Sequence, residues 1–331
     1  MPKRIKSALA FSITVALCLS PLVAGAEPTV KPLPAVPSES LIGIGRGGDH
    51  AKATRDAILN AGGLAGIVKK GDVVLIKPNL CTGAKPDDPK TTDYRVVAAI
   101  VDAVKELGPS RIIIAEGCFS GDAFDKAALA QNKYGTIQGV EFFNFNACEK
   151  KDCYELRSPK SLLSGKSLFI PKVYMDADVV IEAPKMKTHF LPEAVVSLSI
   201  KNVFGVPSEK IYGGYGDKNG LHSFPLSEII VELNEIRMPD FTVIDGVMGG
   251  EGYGPMYNRP VKSEIVIAGR DLLAADVVAL TFMGFTLDQV PHLRLAAKEG
   301  LGNYDLARIK IAGADLGAIK MDFQSSFKKK K

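Results

Sequence analysis

Val73-Val74-Leu75-Ile76-Lys77-Pro78-Asn79, a helical pattern from Asp93 to Leu107, then Arg111-Ile112-Ile113-Ile114-Ala115: this stretch decides the fold. The two β-branched runs carry no polar alternation, so they read as strands covered on both faces. The segment between them has apolar residues at helical spacing, opens on a capping Asp93 and stops at Gly108-Pro109. Strand, helix and strand in that order predict parallel neighbours joined by a right-handed crossover. The alternation continues on both sides. A strand is expected over 41–44, a helix capped by Asp49 to about residue 60, and a helix over 123–130. The expected fold is α/β, a mainly parallel or mixed sheet flanked by helices, with the site at the strand C-terminal ends.

Further along, strands are expected over 140–145, 168–173, 179–181, 241–244, 264–268 and 309–311, and helices over 194–201, 226–236, 272–283 and 288–298. Asp271 reads as the cap of the third of these helices. Residues 211–219 and 247–260 are glycine-rich and read as loops, the first with the makings of a lid. Gly43-Ile44-Gly45-Arg46-Gly47-Gly48-Asp49 lacks both dinucleotide and P-loop spacing, so a tight structural turn is favoured over a phosphate cradle.

Lys3, Arg4 and Lys6, an apolar run over 8–19 and the small residues Ala24-Gly25-Ala26 form a Sec-type signal peptide with cleavage near Ala26. An uncleaved N-terminal anchor is the alternative, and Leu17 is too large for a lipid box at Cys18. The organisation expected is 1–26 signal peptide, 27–40 proline-rich leader, 41–315 single α/β domain and 316–331 flexible basic tail. A periplasmic or secreted protein follows, with no membrane span after signal cleavage. With 46% hydrophobic residues the chain can build a large core. Its formal charge of +4 includes the basic residues of both ends, so the body is near neutral and no nucleic-acid partner is indicated. Oligomeric state is not legible.

Cys81, Cys118, Cys148 and Cys153 remain after cleavage, without any Cys-x-x-Cys pair, so no iron–sulfur cluster or structural zinc is expected. In an oxidising compartment Cys148 and Cys153 could bridge across a loop, and Cys81 and Cys118, each following a strand, could bridge along one sheet edge.

Pro184-Lys185-Met186-Lys187-Thr188-His189 follows the apolar run Val179-Val180-Ile181, and Lys201-Asn202-Val203-Phe204-Gly205 comes shortly after. Lysines gathered at a strand end suggest a site for an anion. Lys185, Lys187 and His189 alternate, so an extended backbone would send them in one direction. A lysine crowded by like charge loses basicity and can act as a base, and a histidine can move protons or bind metal. Lys77 and Asn79 leave the sheet beside Pro78, and Thr92 and Asp93 open a helix whose free amides favour anions. Asp245, Glu251 and His222 border the glycine-rich segments, and His189 with His222 and a carboxylate is the candidate metal set.

The order of these motifs resembles the family catalogued as domain of unknown function 362. The matching elements are Ile76-Lys77-Pro78-Asn79, Thr91-Thr92-Asp93, Ala177-Asp178-Val179-Val180, Pro184 to His189, Lys201 to Gly205, His222, Asp245-Gly246, Gly254-Pro255 and Asp271. Many relatives look redox-associated because they carry a ferredoxin-type cluster module, which this chain lacks. A remote similarity to nickel-pincer lactate racemase has no residue-by-residue match.

The function expected is an exported enzyme acting on a small carboxylate or phosphate, with a divalent metal as candidate cofactor. Lys185, Lys187, His189, Asp245 and Glu251 are the catalytic candidates. Lys77, Asn79, Thr92, Asp93, Lys201, Asn202 and His222 are the binding candidates. The alternatives are a non-catalytic periplasmic binding protein for an anion or metal, and a thiol redox protein using Cys81 and Cys118.

Overall fold

The computed structural model describes residues 30, 32–81, 85–118, 122–158, 160, 162–213 and 218–327. The expected signal peptide and the last four lysines lie outside them. The strands are β1 (Ser40–Arg46), β2 (Val73–Pro78), β3 (Arg111–Glu116), β4 (Glu141–Asn144), β5 (Cys153–Leu156), β6 (Leu168–Pro171), β7 (Val179–Ala183), β8 (Lys185–Thr188), β9 (Val196–Ser197), β10 (Phe241–Tyr253), β11 (Tyr257–Gly269) and β12 (Ile309–Ala312). Ten of them form one sheet of order β12-β1-β11-β10-β7-β2-β3-β4, with β8 and β9 branching from β10, while β5 and β6 pair separately.

The apolar runs behave as their composition requires. β2 pairs with β3 and with β7 in parallel, Leu75 lying beside Ile113 and Val180, and all three side chains are buried. The helix Leu272–Met283, buried at every residue but Thr281, packs on one face of the sheet with Leu226–Ile236 and Pro291–Lys298. The opposite face is covered by α1 (His50–Asn60) and α2 (Tyr94–Lys105). Asp49, Asp93 and Asp271 cap their helices, each accepting a backbone N–H from the first turn.

The glycines of β1 serve packing. A Cβ on Gly45 would stand 1.8 Å from the Ala53 carbonyl oxygen, so glycine lets α1 lie directly on the strand.

Three local expectations change. Residues 247–260 form the ends of the long β10–β11 hairpin, because Gly249 and Gly250 press against Phe323 and the Pro89 carbonyl where a side chain would collide. Residues 194–201 divide into β9 and the short helix Ser199–Asn202, Val195 having a positive φ of 59° that no helix accommodates. The packed body continues past residue 315: Phe323 is buried, its N–H reaches the Met283 carbonyl, and the Gly252 N–H reaches the Gln324 carbonyl. Within the leader, Pro37 and Ser38 accept hydrogen bonds from Asn303 and Arg308.

Candidate functional site

Parallel strands deliver their last residues to one edge, and the sheet places a cavity of about 390 Å³ there. It is lined by Asn79 and Cys81 after β2, Glu116 and Cys118 at the end of β3, Lys187 of β8 and His189 just past it, Ser197 of β9, and Lys201, Asn202, Phe204, Lys218 and His222 from the segments after β9. Six of the sequence candidates, Asn79, Lys187, His189, Lys201, Asn202 and His222, line this one cavity.

The ammonium groups differ in what remains available. Lys187 donates to Asn79 Oδ1 at 2.6 Å, to the Lys90 carbonyl at 2.6 Å and to Cys81 Sγ at 2.9 Å, which commits all its hydrogens and leaves charge as its contribution. Lys218 donates to the Gly205 and Gly117 carbonyls at 2.8 and 3.3 Å. The Lys201 ammonium lies 5.4 Å from the Phe204 ring centre, and no hydrogen bond or ion pair among the described residues engages it. Burial lowers the Lys201 pKa to about 8, assisted by repulsion from Lys187. Burial likewise takes Lys218 to about 7, against the pull of Glu116.

Among the described residues one carboxylate, Glu116, lines the cavity with these cations, and it is already engaged. Glu116 Oε2 accepts from Lys77 Nζ at 2.9 Å and Oε1 from the Gly117 N–H. Lys77 is fully buried beneath the cavity instead of facing it. Behind Asn202 lies Glu182, whose pKa burial raises to about 8, so it is mostly protonated at neutral pH. Asn202 Nδ2 donates to Glu182 Oε2, and Glu182 Oε1 and Asn202 Oδ1 have no partner among the described residues. The cavity therefore carries an excess of positive charge.

The two imidazoles are held by different backbone groups. His189 Nδ1 accepts the Leu191 N–H at 3.1 Å, which places the ring proton on Nε2. Burial, with Lys201 and Lys187 adding repulsion, drives its pKa far down, so the ring stays neutral. His222 Nδ1 lies 3.3 Å from the Lys218 carbonyl, to which it can donate. Phe204 lies edge-on to the His222 ring at 4.9 Å. His189 is thus a neutral donor and unsuited to metal ligation, because its accepting nitrogen is already used. Among the described residues, the group of three donors spaced for a metal is instead His50, Asp87 and Asp93.

Besides Lys77, five candidates do not line the cavity. Lys185 is sealed in an ion pair with Asp245 at 2.9 Å, both side chains fully buried. The alternation that should have aimed Lys185 with Lys187 fails because the β8–β10 register shifts between Asp245 and Gly250. Thr92 Oγ1 donates to the Ala183 carbonyl and accepts from the Asn79 N–H, joining β7 to the exit of β2. Asp93 caps α2 and binds Arg95; burial alone would raise its pKa, but these bonds hold it at about 2. Glu251 binds Arg259 and the Gln324 N–H on the hairpin.

Three lining residues escaped the sequence reading. Glu116 had a usable signal: it ends an apolar strand beside the one that Lys77 ends. Lys218 sits alone in a glycine-rich segment, and Ser197 carries no signal. Cys81 and Cys118, considered for a disulfide and for thiol redox chemistry, are both buried on the cavity wall and are not joined by a disulfide. Burial pushes the Cys118 thiol up to about 12, which keeps it protonated and unreactive.

Residues 74–281 match the family described as domain of unknown function (DUF362). The thylakoid-associated protein sll1697 of Synechocystis sp. is 32% identical over 243 residues, covering 73% of this chain and 71% of that protein. Among solved structures, the lactate racemase apoprotein of Thermoanaerobacterium thermosaccharolyticum aligns with TM-score 0.47 and 16% identity, over 75% of this chain and 61% of that one. A Thermotoga maritima protein aligns with TM-score 0.38 and 13% identity, over 65% and 54%. This chain thus spans under two thirds of either solved structure. No helix among the described residues is long and apolar enough to cross a membrane. The chain belongs to the DUF362 family.

Proposed function

We propose that this member of the DUF362 family is an exported enzyme that binds a small organic anion, a carboxylate or phosphate, in the cavity below β2, β3 and β8 and moves a proton next to the anionic group. The observation that carries the reading is the Lys201 ammonium, which lines the cavity with no hydrogen bond or ion pair to an anion among the described residues. Lys201 is half-buried, and a cation drawn partly out of water favours a ligand that supplies the counter-charge.

Lys201 and Lys218 hold the anion, while Lys187 adds field from its fixed position. His222, on the cavity wall, is the group assigned to accept the substrate proton. The charge then developing on the substrate is met by the Nε2–H of His189 and by Lys201, donors that need no rearrangement as the charge forms. Asn79 and Asn202 border the same space and orient the polar end of the ligand.

Native mass spectrometry of the purified exported form, with elemental analysis, tests this. A co-purifying small anion that dissociates from a Lys201→Gln variant supports it. A ligand retained equally by that variant contradicts it. Once a substrate is identified, His222→Ala separates catalysis from capture: an enzyme loses turnover and keeps binding.

A further inference from the structure

His50 opens α1, and its ring is 3% exposed with neither nitrogen hydrogen-bonded to a described residue. A buried polar group left unsatisfied costs about 1–3 kcal/mol, so such a ring implies a partner outside the chain. Its Nε2 stands 3.4 Å from Asp87 Oδ1 and 3.8 Å from Asp93 Oδ2. These separations are long for hydrogen bonds. They approach the spacing between neighbouring ligands of one tetrahedral ion, about 3.3–3.5 Å for bonds of about 2.0–2.2 Å.

The three donors come from separate parts of the chain. Asp93 is the α2 cap, fixed by its own N–H bond to Asp245 Oδ2 at 2.8 Å. Asp87 lies in the preceding loop with φ 63°, a conformation uncommon outside glycine, and its N–H donates to Asp93 Oδ2 at 2.8 Å. Arg95 donates to both carboxylates at 2.6 and 2.9 Å, so the two acids and this guanidinium sum to one negative charge. From these contacts we infer that His50, Asp87 and Asp93 form a binding site for one divalent cation, separate from the anion cavity. One imidazole with two carboxylates suits a zinc-type ion better than magnesium or calcium, which favour all-oxygen shells.

The ion has a structural task within reach. Asp87 and Asp93 bracket the segment whose Lys90 carbonyl accepts a hydrogen bond from Lys187 at 2.6 Å. Cation binding pins that segment and, through it, the Lys187 side chain at the cavity wall. The site does not depend on the anion-binding reading.

Isothermal titration of chelator-treated protein with Zn²⁺ tests the inference. One ion per chain is expected, with affinity reduced at least tenfold in His50→Ala and in Asp87→Asn. Asp87 is half exposed, so its variant should fold normally and decides the matter if the His50 variant does not. Cys81→Ser and His222→Ala, which remove donors of the cavity, should leave the affinity unchanged. The inference is overturned if no stoichiometric ion binds, if Asp87→Asn binds as the wild type does, or if the cavity variants abolish binding.

Discussion

Replacing Lys185 by methionine should destabilise the protein strongly while leaving the cavity able to bind its anion. Lys185 Nζ meets Asp245 Oδ2 at 2.9 Å, and neither side chain is exposed. Removing the ammonium strands a carboxylate in the interior, a loss of about 3–5 kcal/mol when one partner of a buried pair is deleted. Two backbone donors remain on Asp245, the Asp93 N–H at 2.8 Å and the Val247 N–H at 3.2 Å, which favours the lower end, about 3 kcal/mol. With a urea m-value of about 3 kcal/mol per molar for a chain of this size, the midpoint should fall by about 1 M. The assay is equilibrium urea unfolding of Lys185→Met, Asp245→Leu and the double variant. The double variant should recover part of the loss, since an apolar pair of similar volume replaces two buried charges. A Lys185→Met protein with an unchanged midpoint and no affinity for the cavity's anion would refute the reasoning and return Lys185 to the site.

Anion affinity should fall as pH rises from about 6 to about 9, because Lys218 and then Lys201 lose their protons through about 7 and about 8. A Lys201→Arg variant should flatten the upper part of that curve in a pH series of titrations, and a curve that rises with pH would contradict the assignment. Gly45→Ala should be destabilised by several kcal/mol, on the order of 3, in the same unfolding assay, since its Cβ meets the Ala53 carbonyl at 1.8 Å and the close seat of α1 is lost. The Cys148 and Cys153 thiols hydrogen-bond each other, so mild oxidation should join that pair first. Peptide mapping would then find a link between residues 148 and 153, and a Cys81–Cys118 link in its place would contradict the expectation.

The strands β2, β3 and β7 and the parallel pairing of the first two were legible because strands buried on both faces cannot hide their apolar runs, and because Asp49, Asp93 and Asp271 punctuate the helices. The β10–β11 hairpin was not. Its glycines answer neighbours that are distant in sequence, such as Phe323 and Pro89, and so imitate a loop. At the site, strand-end position sufficed to find Asn79, Lys187, His189, Lys201, Asn202 and His222. Position alone could not separate Lys187 from Lys185, since their different fates follow from an irregular β8–β10 register. Nor could it give His189 its role, which depends on a backbone N–H two residues away. Glu116 stayed hidden because a lone acid at a strand end has meaning only beside Lys77.

The central claim is that Lys201 awaits an anion in the cavity. Isothermal titration of the wild type and Lys201→Gln with inorganic phosphate and with malonate tests it most directly. A charge-assisted contact contributes about 1.5–3 kcal/mol, so the substitution should weaken binding about 10- to 100-fold. One site per chain with that loss is the predicted result. Equal affinities in the two proteins, or no binding of either anion to the wild type, would contradict the account.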